Sequence, residues 1–266
     1  MRKSIAITGA ASGIGKATAE LFFSKGWYVG LFDINENDLT SLFSKFDEKN
    51  ACMRKMDVSD PESVKEAVHF FSEKTDGKMN VLFNCAGIIQ MGYHEKIPLK
   101  IQKKIVDVNL IGILNCIDAS FHILKNTDDS RIINMSSGSA IYGTPELAVY
   151  SSTKFAVRGL TEALNIEFED QGIWVCDIMA PFVSTPMIMN AEQKASSVSK
   201  LGVWVSPDQV AEIVRKAAHG RKVHWIVSLH LKLLMILTKI GNIHITRFLV
   251  RLLTFSSRQV AKNMDQ

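Results

Sequence analysis

Short apolar runs alternate with stretches whose apolar residues recur at helical spacing along most of the chain. Residues 4–8 (Ser-Ile-Ala-Ile-Thr) have the length and composition of a buried strand. Residues 16–25 place Ala17, Leu21 and Phe22 at helical spacing, and residues 28–33 return to a strand run that ends in Asp33. The alternation continues with a helix from Asn35 to about Phe46, a short strand before Met56, and a helix over residues 61–75. In that last helix Val64, Ala67, Val68 and Phe71 share a face. A buried strand within 81–87 that ends in a turn, a helix over 101–125, a buried strand over 131–137 that ends in two serines, and a helix from Tyr150 to about Gln171 follow. The helix from Tyr150 carries an apolar face of Phe155, Val157, Leu160, Leu164 and Phe168. Residues 174–179 read as a strand, Pro207-Asp208 opens a helix with its acid at the positive end, and residues 224–227 form a last strand. Regular strand–helix alternation predicts a single α/β domain with a parallel sheet over residues 1–226.

Two local patterns add chemistry. The first strand runs into Gly9-Ala-Ala-Ser12-Gly13-Ile14-Gly15 and then a helix. Glycines there permit a tight turn and close approach of backbone to a phosphate, and the helix N-terminus offers free N–H groups. Asp33 follows Gly15 by 18 residues at the end of the second strand, the place from which an acid reaches ribose hydroxyls. The second pattern is Tyr150-Ser-Ser-Thr-Lys154. Four residues apart on a helix, the phenol and the ammonium lie on one face. Such a pair is common on solvated helices, so its meaning depends on what stands beside it.

Composition narrows the class. With 47% hydrophobic and 22% charged residues the chain is globular. Cys52, Cys85, Cys116 and Cys176 form no CxxC pair, which argues against a zinc site or a disulfide framework and fits a reducing, cytoplasmic compartment. The basic start Met1-Arg-Lys leads to an apolar run that ends in the glycine turn, so no signal peptide is expected. The net charge of +4 is unevenly spread. Residues 213–264 hold ten Lys or Arg and no acid, leaving 21 basic against 27 acidic residues elsewhere. This basic end includes a densely apolar stretch at 229–240 and a second one at 242–253, with Arg247 and Arg251 opposite its apolar face. Residues 227–266 are therefore read as an apolar, basic, helical C-terminal extension too interrupted to span a bilayer. It can lie on a membrane surface through residues 227–255, cap a substrate entrance or contact another subunit; nucleic acid is not expected as a partner.

Together these residues resemble the short-chain dehydrogenase/reductase family from about Ser4 to Ile226. Thr8-Gly-Ala-Ala-Ser-Gly-Ile-Gly15 is similar to that family's cofactor turn, Asn84-Cys-Ala86-Gly87 to its Asn-Asn-Ala-Gly, and Tyr150…Lys154 to its catalytic pair. The resemblance implies a Rossmann-type doubly wound parallel sheet. It also implies a catalytic set of Asn109, Ser137, Tyr150 and Lys154, with Ser137 13 residues before Tyr150 as in the family and Ser139 a nearby competitor. In the family the Asn at position 109 disturbs its helix and holds a water that links the lysine to solvent. An Asp at position 57 bonds the adenine amine while a neighbour such as Val58 packs the ring. Pro181, Val183 and Thr185 match the segment that clamps the nicotinamide carboxamide, although the glycine that follows this proline in the family is missing and the segment is one residue shorter. Asp33, with no basic residue at Ser12 or Ile34, favours NAD over NADP, whose 2′-phosphate it would repel.

The implied function is NAD-dependent interconversion of a secondary alcohol and its ketone, with Tyr150 as general acid/base. A nearby ammonium and a positive nicotinamide ring are expected to lower the pKa of Tyr150. Ile141, Tyr142, Phe182, Met187, Ile188 and Met189 point to a lipophilic substrate, and residues 191–202, polar and rich in small residues, read as a mobile lid. A 3-oxoacyl reductase and an NAD-binding sensor without turnover are the alternatives. A homodimer or homotetramer is implied, with the helices of Asn109 and Tyr150 at the interface.

Overall fold

The computed structural model describes residues 2–240 together with Arg247, Val250 and Arg251. The expected helix at 242–253 falls largely outside the described residues. In chain order the elements are β1 (Ser4–Thr8), α1 (Gly13–Ser24), β2 (Tyr28–Asp33), α2 (Glu36–Phe43), β3 (Ala51–Lys55) and α3 (Pro61–Lys74). They continue with β4 (Val81–Asn84), α4 (Leu99–Val106), α5 (Gly112–Lys125), β5 (Ser130–Met135), α6 (Ala148–Glu167) and β6 (Ile173–Met179). The chain then forms α7 (Pro186–Met189), α8 (Ser196–Leu201), α9 (Pro207–Ala217), β7 (His224–Ile226) and α10 (Leu229–Ile240).

The seven strands pair in the order β3-β2-β1-β4-β5-β6-β7, every pair parallel. This is the Rossmann-type doubly wound sheet. Strands covered on both faces need no polar side, which is why β1 and β5 are buried throughout. Alternate residues serve opposite layers. Ile5, Ile7, Val81, Phe83 and Ile133 pack with Ala19 and Phe22 of α1 and Val210 and Val214 of α9. Ala6, Leu82, Ile132 and Val175 pack with Phe71 of α3, Ile113 and Ile117 of α5, and Val157 of α6. The chain reverses its direction across the sheet between β1 and β4, so a crevice opens at the carboxyl ends of those strands.

Local chemistry sets the helix ends. Asp60 caps α3 ahead of Pro61, and Ser206 with Gln209 forms a capping box ahead of Pro207. The helix expected at 101–125 begins earlier, at Leu99 after Pro98, and is not uniform: Asp107–Ile111 is π-helical between α4 and α5. By length and composition this continuous stretch, Leu99–Lys125, is apolar enough to cross a membrane. However, Ile105, Ile113, Cys116, Ile117 and Leu124 are buried in the protein. The helix expected at 150–171 starts two residues earlier and ends at Glu167, with a 3₁₀ turn at Glu169–Gln171 closed by Gly172 in the left-handed region at φ 72°.

Segment 191–202 differs from expectation. It contains α8 and seals a third apolar cluster, in which Ala195 and Val198 pack with Met91, Leu147 and Ile188. Glu146 accepts a hydrogen bond from the Ser196 amide at the start of α8. The small residues that made the segment read as open are the ones that let it pack.

A charged group joins the far edge of the sheet to α6. Asp177 on β6 is 0% exposed and its Oδ1 lies 2.9 Å from His224 Nδ1 on β7. His224 Nε2 lies 3.0 Å from Glu162 of α6, which also accepts from Arg158 Nε at 2.8 Å. The bond to Asp177 raises the pKa of His224 despite its partial burial. His224→Ala would leave the buried Asp177 carboxyl without its partner, and urea denaturation at pH 6 should show a loss of about 3 kcal/mol. A folded-state pKa raised above the unfolded value means this contribution is full below the unfolded pKa and is lost as pH rises through the folded one. The difference between wild type and variant should therefore shrink as pH rises through the raised histidine value.

Candidate active site

A cavity of about 380 Å³ occupies the crevice. At one end lies the β1–α1 turn. Gly9 has φ 68°, and a Cβ there would stand 2.8 Å from Ala86 Cα; a Cβ on Gly15 would stand 2.0 Å from the Gly9 carbonyl oxygen. Side chains at either position would destroy the turn. Ser12 precedes α1 in extended conformation, makes no side-chain cap, and no acid occupies the first turn. The helix therefore presents its N–H groups and positive end uncompensated by side chains, an arrangement that fits a diphosphate. Gly9, Ser12, Gly13, Ile14 and Gly15 all line the cavity.

Thr8 and Asn84 lie just behind its wall. They are register partners at the ends of β1 and β4, and both side chains are used within the protein. Thr8 Oγ1 accepts from the Cys85 and Ala86 amides, both at 3.0 Å. Asn84 Nδ2 donates to Asn134 Oδ1 at 2.9 Å. Thr8 thereby positions Ala86, which with Gly87 does form the wall.

Farther along, Asp33 Oδ2 accepts from the Ala11 amide at 3.0 Å and Oδ1 from the Asn35 amide at 2.9 Å. These bonds fix the carboxylate at the cavity edge, beside exposed Ile34. Asp57 Oδ1 accepts from Ser59 N at 2.9 Å and Ser59 Oγ at 2.7 Å, holding the turn that presents Val58. Val58 packs so closely on Gly112 that a Cβ there would lie 2.7 Å from Val58 Cγ2. Met56, Ser59 and Lys104 also line this end, unforeseen from sequence. Lys104 and Val108 are four apart and both face the cavity, so helical spacing from Val108 is the signal that would have found the lysine.

The other end carries the reactive set. Lys154 is 4% exposed, donates to the Met135 carbonyl at 2.8 Å, and has its Nζ 5.5 Å from the centroid of the Tyr150 ring. Ser137 lines the cavity with Tyr150, near enough for its hydroxyl to lower the pKa of the phenol, and its Oγ accepts from the Ser139 amide at 3.1 Å. Ser139 is buried and engaged with Thr144, so Ser137 is the serine that faces Tyr150.

Asn109 lies off the cavity wall. Its Oδ1 accepts from the Ile88 amide at 2.8 Å, and its Nδ2 donates to the Ile88 carbonyl at 3.0 Å and to Thr153 Oγ1 at 3.3 Å. The helix distortion expected around Asn109 is present as the π-helical turn. Both ends of its amide are taken by protein groups, so the side chain clamps the backbone after Gly87.

Pro181, Val183 and Thr185 line the cavity. The path without the usual glycine is held by a parallel bridge between Val183 and Val205 and by the Ser184 amide donating to the Val205 carbonyl at 2.9 Å. Thr185 abuts the cofactor turn, because a Cβ on Gly13 in its own conformation would lie 2.9 Å from Thr185 Cγ2.

Burial governs the charges. It pushes the pKa of Lys154 down to about 8 and raises that of Tyr150, an effect the Ser137 hydroxyl partly offsets. In the cofactor-free site loss of hydration therefore dominates the Tyr150 phenol. Cys85 beside them is pushed up to about 12 by burial and stays a neutral thiol. Among the described residues no cluster of metal-ligating side chains occurs.

Residues 3–196 match the family model described as short chain dehydrogenase. The chain belongs to that family. It is 30% identical over 220 residues to cyclohexanol dehydrogenase of Acinetobacter sp. (strain SE19), covering 78% of this chain and 84% of the relative. A solved structure of 3-ketoacyl-(acyl-carrier-protein) reductase from Brucella melitensis complexed with NADH is 27% identical, with TM-score 0.76 over 85% of this chain and 96% of that one. The structure of ElxO with NADP bound is also 27% identical, with TM-score 0.75 over 85% and 97%. The chain is thus a short-chain oxidoreductase, and similar folds hold either nicotinamide cofactor.

Between the folded pKa of Lys154 near 8 and the ordinary lysine value of 10.5, the native state binds fewer protons than the unfolded chain, so this group adds stability as pH rises. Compared with Lys154→Met by chemical denaturation, the wild type should gain on the order of 2 kcal/mol from about pH 7 to about pH 10. A constant difference would place the lysine in a solvated setting.

Proposed function

We propose that the chain interconverts a lipophilic secondary alcohol and its ketone with NAD as hydride carrier and Tyr150 handling the hydroxyl proton. The observation that carries this reading is the Ser137–Tyr150–Lys154 group at one end of a cavity whose other end carries Asp33. When bound, NAD supplies the ring that accepts hydride from the alcohol carbon. Ser137 donates to the substrate oxygen, and the Tyr150 oxygen accepts its proton during oxidation and returns it during reduction. The Lys154 ammonium favours the phenolate that this step requires.

Asp33 supports NAD: its oxygens can accept from ribose hydroxyls and would repel a phosphate, and Ile34 beside it offers no cation. Ile88, Ile89, Phe182, Met187 and Ile188 in the wall support an apolar substrate. Of the residues named from sequence for this role, Ile141, Tyr142 and Met189 do not line the cavity. The cyclohexanol dehydrogenase relative accords with an apolar secondary alcohol. The likeness to a 3-ketoacyl reductase favours a second reading, reduction of a 3-oxoacyl thioester. A sensor without turnover has little support, because the reactive side chains are assembled. Exposed Ile111 and Leu114 on one helix and Phe155 and Ile166 on α6 support self-association through these helices; a monomer by light scattering would contradict it.

With a panel of cyclic and long-chain secondary alcohols, NAD should give turnover well above NADP, and Tyr150→Phe should lower kcat by about three orders of magnitude while the Kd for NADH moves less than about threefold. Ile34→Arg should narrow the gap between the cofactors. Near-normal turnover of Tyr150→Phe would remove the proposed proton path; activity on 3-oxoacyl thioesters alone would select the second reading.

A further inference from the structure

Helix α10 turns an apolar face outward. Leu229, Leu233, Ile236 and Leu237 are 68, 52, 53 and 51% exposed. Their spacing of four, seven and eight residues puts them on one stripe. Leu231 faces the other way and reaches the turn after the candidate active site: a Cβ on Gly138 would lie 2.7 Å from Leu231 Cδ2. The helix is thus seated on the protein by one face and leaves the other open, with His230 and Lys232 exposed beside the stripe.

Three features say what covers that face. Within the roughly 20 apolar residues that a crossing helix needs, the run from Leu229 is broken by His230, Lys232, Lys239, Gly241 and Asn242, so it suits a membrane surface and not a crossing. The chain around it, residues 213–264, carries ten basic residues and no acid. Of these, Arg215 and Arg221 are paired with Glu212 and Asp129, whereas Lys232 stands exposed beside the stripe; an apolar stripe bordered by positive charge complements anionic lipid. A second copy seated symmetrically on the same face would instead bring its own basic segment against this one.

We propose that α10 docks onto an anionic lipid surface through Leu229, Leu233, Ile236 and Leu237. Gly138 adjoins Ser137, so a docked helix holds the reactive end of the cavity near the lipid. That consequence rests on the lipophilic-substrate reading; the docking itself does not.

Flotation of the full chain with phosphatidylcholine vesicles, with and without phosphatidylserine, tests the docking. The wild type should float with the anionic vesicles, less with phosphatidylcholine alone, and less again in high salt. The double variant Leu233→Glu, Leu237→Glu should lower the bound fraction by about tenfold or more while keeping its NADH affinity, which shows that it is folded. Absence of flotation by the wild type, or equal flotation by the double variant, overturns the proposal. So does a double variant that loses oligomeric mass while the wild type fails to float, because the face then belongs to a second copy. Flotation reads binding without turnover, so failure of the alcohol reading leaves this result interpretable.

Discussion

The Lys154 ammonium is buried among apolar and backbone groups, with the Met135 carbonyl as its hydrogen-bond acceptor. No carboxylate among the described residues pairs with it. A charge held this way is costly, and its pKa falls accordingly. The cost is tolerable only while α6 stays in register with the end of β5. That register is set by a run of buried polar bonds: Asn84 to Asn134, Asn134 to Thr161 at 3.0 Å, and Thr161 to the Val157 carbonyl at 2.8 Å. Each bond is worth about 1 kcal/mol when made and more when one partner is removed. Strands β4 and β5 and helix α6 are thereby locked together, and Tyr150 is carried to its place by the same helix.

The rest of the cavity is held to this point from two sides. Asn109 grips the backbone of Ile88 and touches Thr153, one residue before Lys154. Thr185 meets Gly13, so the segment after β6 and the turn before α1 close on each other. The glycine turn and the Tyr150–Lys154 pair are therefore joined through the sheet between them. A group bound at the turn and along Asp33 would have its far end delivered to Tyr150.

Much of this was legible from residue order because the signals were local. Strand runs, the glycine turn, Asp33 and the four-residue spacing of Tyr150 and Lys154 depend on backbone sterics and helix periodicity alone. The protein partners of Asn84, Thr8 and Asn109 were not legible, since which group satisfies a buried amide or hydroxyl is decided by elements far away in sequence. Met56 carries no local signal, and the four-residue spacing of Lys104 to Val108 gains meaning only once Val108 is known to face the cavity. Small, polar composition at 191–202 suggested looseness, yet Ala195 and Ser197 are small because α8 fits under a closed surface. The raised Tyr150 value in the cofactor-free protein was not legible because burial cannot be read from a lysine four residues away.

The central claim is that the protein alone keeps Tyr150 protonated and that bound cofactor shifts it toward the phenolate. Ultraviolet difference titration of tyrosinate, comparing wild type with Tyr150→Phe, measures this directly. Without cofactor, no ionisation attributable to Tyr150 should appear below the ordinary tyrosine value of 10.0. With NAD bound, the same difference signal should emerge at lower pH. A Tyr150 signal below that value in the empty protein, or an identical titration with and without NAD, would contradict the account.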